Sequence, residues 1–246
     1  MNNQEAGKMR KILITNDDGI EAPGIVRLAE LAKEFGEVWV IAPAHERSAA
    51  SHCITLRDPI EIKKHDFPVE GVKAYSCSGT PADCVRVGSL SVMPYKPDVV
   101  LSGINWGYNV ATDIQYSATC GAAFEAAFQG YGSIALSEDR SDCHETTDAY
   151  IRELIEEYID QRFGRGQIVN INFPGCRLSE CNGIKRNLGT SCDSFYHDRY
   201  KLLEEKEDGT FVYMVDGIYN EDAEPDTDFR AIVDKYVSVG IVNNIK

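Results

Sequence analysis

The sequence predicts an α/β fold with a mostly parallel sheet, followed by a β-rich C-terminal extension. Short apolar runs alternate with helical patterns along most of the chain, as is typical of parallel strands joined by crossover helices. A chain of 246 residues, 43% of them hydrophobic, can bury the core of one such domain plus a smaller appendage. After Pro174 the pattern changes to short β-rich runs separated by turn dipeptides.

The first third of the chain predicts a strand, a helix, a second strand and a hairpin. An apolar run at residues 12–14 ends in a polar loop at 16–19, and a helix with apolar residues on one face follows from Pro23. Residues 38–42 form a second short apolar run, which predicts a parallel partner strand. The polar and β-branched segment 53–76 predicts a hairpin excursion outside the parallel core.

The middle of the chain continues this alternation. Thr80, Pro81 and Asp83 combine a helix cap, a first-turn proline and an acid three residues after the cap, so a helix is expected over 80–90. Further on, the patterns predict a strand at 98–102, a loop at 103–107, a helix at 120–129, a strand at 133–136, a helix capped by Thr147, and a strand at 168–173.

We therefore divide the chain into three parts. Residues 1–10 are expected to be a flexible leader, and residues 11–190 an α/β catalytic core. Residues 191–246 are expected to be an extension used in oligomer contacts.

The charge and composition exclude several classes of function. A formal net charge of −14 argues against a nucleic-acid polymer as partner, because phosphate backbones bind basic surfaces. A small anion can still bind where a helix end or a metal ion overcomes that field. Without a signal peptide or a run of roughly 18 apolar residues, we expect a cytoplasmic protein with no membrane partner. The eight cysteines lack a CxxC pair and are expected to be reduced.

Two adjacent carboxylates in the first loop are the first candidates for chemistry. Asp17 and Asp18 follow an apolar strand, and ligands of open parallel sheets bind beyond the carboxyl ends of the strands. Two like charges this close raise each other's pKa unless a cation offsets them, and a hard divalent ion does so. The segment that contains them, Asn-Asp-Asp-Gly (16–19), is also typical of ordinary turns and helix caps.

Two further loops hold polar residues at the same predicted edge. The loop after the second strand contains Ser48, and the long loop after the third core strand contains Asn105 and Asn109. Ser117 and Thr119 precede the next helix, whose N-terminal N–H groups can bind phosphate, although Thr119 could equally be its cap. We expect the remaining acid of this loop, Asp113, to support the loop rather than bind metal.

Several catalytic motifs are absent from the sequence. It contains no GxxxxGK[ST], no GxGxxG after the first strand and no GxSxG. ATP hydrolysis by a P-loop, a dinucleotide cofactor and a serine hydrolase are therefore disfavoured.

Five segments of the core carry specific motifs in a fixed order. They are Ile-Leu-Ile-Thr-Asn-Asp-Asp-Gly-Ile-Glu-Ala-Pro-Gly-Ile (12–25), Ala-Pro-Ala-His-Glu-Arg-Ser-Ala-Ala-Ser (42–51), Ser-Gly-Thr-Pro-Ala-Asp-Cys-Val (78–85), Ser-Gly-Ile-Asn-Trp-Gly-Tyr-Asn (102–109) and Tyr-Ser-Ala-Thr-Cys-Gly-Ala-Ala-Phe-Glu (116–125). Together they resemble the SurE survival-protein family.

The resemblance implies a Rossmann-like, three-layer core and hydrolysis of nucleoside 5′-monophosphates, often with activity on 3′-nucleotides and short polyphosphate. It also implies a homodimer or homotetramer that exchanges C-terminal elements, and one divalent ion per subunit, Mg²⁺ or Mn²⁺. By motif, the implied metal ligands are Asp17, Asp18, Ser48 and Asn105. Asp17 and Asp18 are also the implied catalytic residues.

The phosphate contacts expected at this site are Asn109, Ser117 and Thr119. The chain departs from the family where it has Ala49, Ala111 and Ala118 in place of the usual glycines. Since a positive φ is unfavourable for alanine, we expect the backbone of these loops to differ slightly in conformation from that of the family.

Two mechanisms and two rival functions remain open at this stage. A water molecule could attack the phosphorus with an aspartate as general base or acid, or a carboxylate could attack directly and form a phosphoenzyme. One rival is a nucleotide-binding regulatory protein with little turnover. The other is an enzyme with a different substrate, such as a general acid phosphatase or a polyphosphatase.

Overall fold

The structure, a computed structural model, describes residues 9–245, in which thirteen strands and five α-helices follow one another. The predicted flexible leader lies outside these residues except for Met9 and Arg10. In chain order the elements are β1 (Lys11–Thr15), α1 (Pro23–Ala32), β2 (Glu37–Pro43), β3 (Ile62–His65), β4 (Lys73–Cys77), α2 (Pro81–Val87), β5 (Val99–Trp106), α3 (Ala118–Phe128), β6 (Gly132–Glu138), α4 (Glu145–Tyr158), β7 (Gln167–Phe173), β8 (Ile184–Lys185), β9 (Tyr196–His197), β10 (Tyr200–Glu205), β11 (Phe211–Val215), β12 (Ile218–Tyr219), α5 (Asp228–Val233) and β13 (Val237–Asn243).

The described residues form a central nine-stranded sheet, whose strand order is β3-β4-β2-β1-β5-β6-β7-β13-β8. The six strands from β4 to β7 in this order run parallel, so their carboxyl ends meet at one edge. The edge strand β3 is antiparallel to β4, and β13 is antiparallel to β7. The predicted α/β class with a mostly parallel sheet is confirmed.

Helices cover both faces of this sheet and make three layers. In β1, Ile12 and Ile14 pack in the cluster that contains the buried faces of α1 and α4. Leu13, which points to the opposite face, packs with residues of α2 and α3. Strands buried on both faces read as continuous apolar runs, which is why residues 12–14 identified β1. No helix within residues 9–245 has the length and apolar character needed to cross a membrane.

The prediction that the hairpin at 53–76 lies outside the parallel core is wrong. Strands β3 and β4 do form an antiparallel pair, but β4 also pairs in parallel with β2, from Trp39 with Lys73 to Pro43 with Cys77. The hairpin therefore extends the sheet instead of lying outside it. Only Ala74 and Cys77 of β4 are fully buried, so the sequence shows no long apolar run that would indicate a core strand.

Three local expectations are also corrected. The loop expected at 103–107 is mostly strand, because β5 continues to Trp106 and resumes pairing with β6 at Asn105 after a bulge. Thr147 does not cap α4, which begins at Glu145, and its side chain is buried. Thr119 does not cap α3, because the hydroxyl of Ser117 accepts the N–H of Cys120 and performs that role.

The expectation that residues 191–246 stand apart from the core is wrong for their last third. Strand β13 pairs with β7 along its whole length and lies inside the central sheet. Helix α5 packs Phe229 and Ile232 against Val110 and Phe195 near the end of β5. Outside the central sheet, β10 and β11 form one two-stranded sheet, and β9 and β12 form another.

A close backbone contact joins α3 to the loop after β2. A Cβ atom added at Gly121 would lie 2.4 Å from the carbonyl oxygen of Ser51, so a side chain cannot be accommodated without displacement. The same loop is held by Ser51, whose N–H donates to the carbonyl of Tyr116 and whose hydroxyl donates to that of Gln115. The position of Ser48 therefore depends on this contact.

We expect Gly121→Ala to lower the free energy of unfolding by about 1–3 kcal/mol, because the added methyl overlaps backbone that cannot move freely. The control is Gly189→Ala, where an added Cβ meets no atom within 4 Å. Urea unfolding should show the control within about 0.5 kcal/mol of wild type. Equal midpoints for the two variants would contradict the close contact.

Candidate active site

A cleft of about 500 Å³ opens at the carboxyl edge of the sheet and contains most of the predicted site residues. Asp17 follows β1, Ser48 follows β2, and Asn105 lies near the end of β5. A cavity of about 600 Å³ at the opposite edge, beside Arg10 and Asp160, contains none of them. Of the seven predicted residues, five line the cleft, namely Asp17, Ser48, Asn105, Asn109 and Ser117. Asp18 and Thr119 do not line it, and each is a direct neighbour of Asp17, in sequence or by a hydrogen bond.

Asp17 is the most deeply buried acid of the site, with 3% of its surface exposed. The hydroxyl of Thr119 donates to its Oδ1 at 2.5 Å. Burial raises the pKa of Asp17 to about 7, although the Thr119 hydrogen bond opposes the shift, and the charge of Asp18 raises it further. A buried carboxyl group whose pKa is near 7 can either lose its proton and bind a cation as the carboxylate, or carry the proton in catalysis.

Asp18 lies beside Asp17 and is half-buried. The backbone N–H of Trp106 donates to its Oδ2 at 3.1 Å, which ties the β1 loop to the end of β5. Burial raises the pKa of Asp18, and Glu46 and Glu138 raise it further, while the Trp106 N–H and Arg140 oppose the shift. Both adjacent carboxylates therefore hold their negative charge at a cost in the absence of a cation.

Two neutral oxygen donors complete the predicted ligand set. The side-chain amide of Asn105 donates to the carbonyl of Gly107 at 2.8 Å, which fixes the amide nitrogen and leaves its Oδ1 as an acceptor. The hydroxyl of Ser48 donates to Glu46 at 2.8 Å, so its oxygen lone pairs also stay free to accept.

This donor set fits a hard divalent cation. Carboxylate, amide and hydroxyl oxygens are the ligands that Mg²⁺ and Mn²⁺ prefer. No three acidic, histidine or cysteine side chains converge on one point within residues 9–245, so a soft or imidazole-rich metal site is not found there. Burial is the main cause of the raised pKa values of Asp17 and Asp18, and a bound cation would offset it.

The three predicted phosphate contacts have different positions. Ser117 lines the cleft and caps α3, whose first N–H groups have no acceptor within the helix. Thr119 is directed to Asp17 instead. Asn109 is buried, donating from its amide to Ser137 at 2.8 Å while its carbonyl accepts from Asn170, so it mainly holds the loop in place.

The alanines that replace family glycines retain the glycine-like backbone at two of three positions. Ala49 and Ala111 adopt φ values of 57° and 53°, in the left-handed region, whereas Ala118 lies in the first turn of α3. Two of these alanines therefore adopt a positive φ in spite of its cost for a residue with a Cβ atom. Tertiary contacts enforce the conformation, as when buried Asp228 accepts the N–H of Ala111 at 3.0 Å.

Several residues that line the cleft were not predicted from the sequence. Arg140 follows β6, and its guanidinium lies 5.0 Å from the ring centre of Trp106. Its place just beyond a core strand was a usable signal, because the loops after β1, β2 and β5 on the same edge also line the cleft. Phe195, Tyr196 and Asp198 come from the C-terminal extension, and no local motif marks them.

Without metal, the wild-type protein should lose stability as the pH rises from 5 to 8. The native pKa of Asp17 is about 7, whereas an aspartate in an unfolded chain titrates near ~3.9. Between these values the native state holds the extra proton, so stability falls as the pH rises through this window, by on the order of 3 kcal/mol for this group. Asp17→Asn should remove this contribution.

The measurement is urea unfolding in EDTA at pH 5 and pH 8, with Asp142→Asn as the exposed control. An Asp17→Asn protein whose pH dependence equals that of the control would contradict the raised pKa.

Ala111→Gly should raise the free energy of unfolding by about 1 kcal/mol, because glycine adopts a positive φ without strain. Ala118→Gly should lower it by up to about 1 kcal/mol, because position 118 is helical. Chemical unfolding of the two variants measures both changes in the free energy of unfolding. If the two free energies change in the same direction, the assignment of backbone strain to position 111 is contradicted.

Comparisons with known proteins identify the family of this chain. The family described as survival protein SurE matches residues 12–196. A protein named 5′-nucleotidase SurE from Thermosipho melanesiensis is 40% identical over 230 residues, which cover 93% of this chain and 89% of the relative. A protein of the same name from Clostridium botulinum (strain Loch Maree / Type A3) is 38% identical over 232 residues, covering 93% and 90%.

Among solved structures, the SurE protein from Aquifex aeolicus superposes with a TM-score of 0.79 at 32% identity, covering 94% of this chain and 92% of that one. The fold, the order of the motifs and the extent of these matches lead to one conclusion. The chain belongs to the SurE family.

Proposed function

We propose that the protein is a 5′-nucleotidase, a metal-dependent phosphomonoesterase that hydrolyses nucleoside 5′-monophosphates to nucleoside and phosphate. The observation that carries this proposal is the buried carboxylate of Asp17, which lies beside Asp18 in a cleft that also holds Asn105 and Ser48. The names of the relatives from Thermosipho melanesiensis and Clostridium botulinum support the same activity.

One divalent ion per subunit, Mg²⁺ or Mn²⁺, would be held by Asp17, Asp18, Ser48 and Asn105. When bound, it would supply charge neutralisation at the phosphoryl group and lower the pKa of water. Asp18 and Asn105 are fixed for this role by the Trp106 N–H and the Gly107 carbonyl.

The phosphate would occupy the end of the cleft formed by Ser117 and Arg140. The first turn of α3 offers N–H groups and a positive dipole end there, and Arg140 offers a guanidinium. Thr119 would act through Asp17, whose orientation its hydroxyl fixes.

In the hydrolysis we propose, a water oxygen forms the new bond to phosphorus as the bond from phosphorus to the ester oxygen breaks. Asp17 is suited to hold the transferred proton, because burial keeps its pKa near neutral pH. The proton then goes to the ester oxygen of the leaving nucleoside. Detection of a covalent aspartyl phosphate would replace this scheme with direct carboxylate attack.

We also propose activity on 3′-nucleotides, which present the same phosphoryl group on a similar neutral alcohol. Short polyphosphate, the third substrate class that the resemblance implies, is part of the same proposal.

A homodimer or homotetramer is part of the proposal. The hairpin of β10 and β11 exposes large apolar side chains on a two-stranded sheet, which is marginally stable by itself in water. A second copy covering the hairpin would bury Tyr200, Leu202, Phe211, Tyr213 and Met214.

Phosphate release from AMP, GMP, UMP and 3′-AMP should require Mg²⁺ or Mn²⁺ and stop in EDTA. Asp17→Asn should lower kcat/KM for AMP by at least about 100-fold. The variant loses a ligand of the divalent ion, and with it the positive charge that stabilises the reacting phosphoryl group. Asp142→Asn, an exposed acid outside the cleft, is the matched control.

Metal binding has an independent readout in thermal unfolding. Mn²⁺ should raise the Tm of the wild type but not of Asp17→Asn, since a ligand stabilises only the state that binds it. Tight AMP binding without phosphate release at any metal concentration would favour the regulatory nucleotide-binding protein instead.

A further inference from the structure

His52 lies at the end of the loop that carries Ser48, and its side chain packs onto α3. The imidazole ring is stacked on Phe128, with the ring centres 5.7 Å apart and the planes 6° apart. Its Nε2 lies 3.0 Å from a carboxylate oxygen of Glu125. A carboxylate only accepts hydrogen bonds, so Nε2 carries the proton and donates it. The end of the loop is therefore fixed to α3 by a stacking contact and a hydrogen bond.

The acceptor of this hydrogen bond, Glu125, is a buried and charged carboxylate. Arg86 of α2 donates to its Oε1 at 3.0 Å, and the side-chain amide of Gln129 donates to the same atom at 2.9 Å. Burial by itself raises the pKa of Glu125, but the hydrogen bonds of His52 and Gln129 and the charge of Arg86 outweigh it, so the pKa is lowered. A charged acceptor makes the bond from His52 stronger than a bond between neutral groups.

The backbone between Ser48 and His52 has an unfavourable conformation. Ala49 and Ser51 have φ values of 57° and 53°, in the left-handed region that residues with a Cβ atom seldom adopt. Such a conformation persists only where the surrounding contacts enforce it. Ser48 itself is exposed, and its hydroxyl donates to the nearby Glu46. The contacts on either side of Ser48 therefore determine where its hydroxyl lies.

Helix α3 also orients Asp17. In its first turn, Thr119 donates to the carboxylate of Asp17. At the start of the Ser48 loop, the backbone N–H of Arg47 donates to the carbonyl of Asp17 at 2.7 Å. One helix thus contacts both Asp17 and the end of the Ser48 loop. Because a packed helix is a rigid support, the hydrogen bond at Glu125 fixes the loop relative to Asp17.

We propose that His52 is a positioning residue for the divalent ion: its hydrogen bond to Glu125 holds the Ser48 loop in the place relative to Asp17 that the ion requires. This inference rests on the proposed function, because it takes Ser48 and Asp17 as ligands of one ion. His52 is not among the residues that line the cleft, so it acts through the loop. Removal of a group that orients metal ligands typically weakens metal binding by roughly 10–100-fold.

The test compares two substitutions that separate the ring of His52 from its hydrogen bond. His52→Phe keeps a flat ring over Phe128 but has no N–H donor, whereas His52→Gln loses the ring and keeps a side-chain N–H donor. His52→Phe should weaken Mn²⁺ binding by about tenfold or more, and His52→Gln should bind Mn²⁺ nearly as tightly as the wild type. Electron paramagnetic resonance of the free Mn²⁺ in a titration of the full chain gives each dissociation constant.

The matched control is Arg86→Met, which removes a different donor from the same carboxylate. Arg86 belongs to α2, and its side chain is 46% exposed. This variant should bind Mn²⁺ as tightly as the wild type, because the bond between His52 and Glu125 remains. Thermal unfolding in EDTA verifies that every variant is folded, and it measures the loss of stability separately from the loss of metal binding.

Phosphate release from AMP gives a second readout of the same effect. The His52→Phe protein should need more Mn²⁺ for half of its maximal rate, whereas its kcat at saturating Mn²⁺ should stay close to the wild-type value. Saturating metal restores the ligand set, so the chemical step is the same once the ion is bound. A lower kcat at saturating Mn²⁺ with an unchanged dissociation constant would contradict a role in metal positioning.

Two further outcomes would overturn the inference while leaving the proposed function intact. One is a His52→Phe protein that binds Mn²⁺ as tightly as the Arg86→Met protein. The other is a His52→Gln protein that binds Mn²⁺ as weakly as the His52→Phe protein, since the hydrogen bond would then not be what matters. A wild-type protein that binds no Mn²⁺ and releases no phosphate with any metal would instead overturn the proposed function, and this inference with it.

Discussion

The carboxylate of Asp17 is buried where β1 ends and α3 begins, and the rest of the site is arranged around it. Burial keeps its pKa near neutrality, and the Thr119 hydroxyl fixes its orientation. Because a carboxylate in this position holds its charge only at a cost, a cation or a proton must accompany it. The adjacent Asp18 and the acceptor oxygen of Asn105 make the cation the better partner. The proposed phosphatase chemistry follows from this constraint.

The sheet order brings the ligands to this point. Parallel pairing of β2, β1, β5 and β6 places the loops after these strands at one edge, so residues far apart in the chain become neighbours. The loop after β2 is then held by the contact between Ser51 and Gly121, which works only because Gly121 has no side chain. Rigid elements thus support loops that carry the chemistry.

The C-terminal extension completes the cleft and is more than an appendage. Its final strand, β13, pairs with β7, and Asp228 accepts the N–H groups of Ala111 and Ser191 from two loops. This network holds Ala111 at a positive φ and brings Phe195 to the wall of the cleft. The extension therefore supplies part of the wall of the cleft.

The sequence by itself determined the α/β class, the strand and helix alternation, and the family whose motifs contain Asp17, Asp18, Ser48 and Asn105. These features are local, because a buried strand needs an apolar run and a turn needs particular residue types. Only the tertiary structure decided that β4 and β13 join the central sheet, since half-buried and late strands carry no distinct local pattern. It also decided that Thr119 contacts Asp17 and that Arg140 and Asp198 line one cleft. Their distances depend on how separate segments pack, and composition and spacing do not encode those distances.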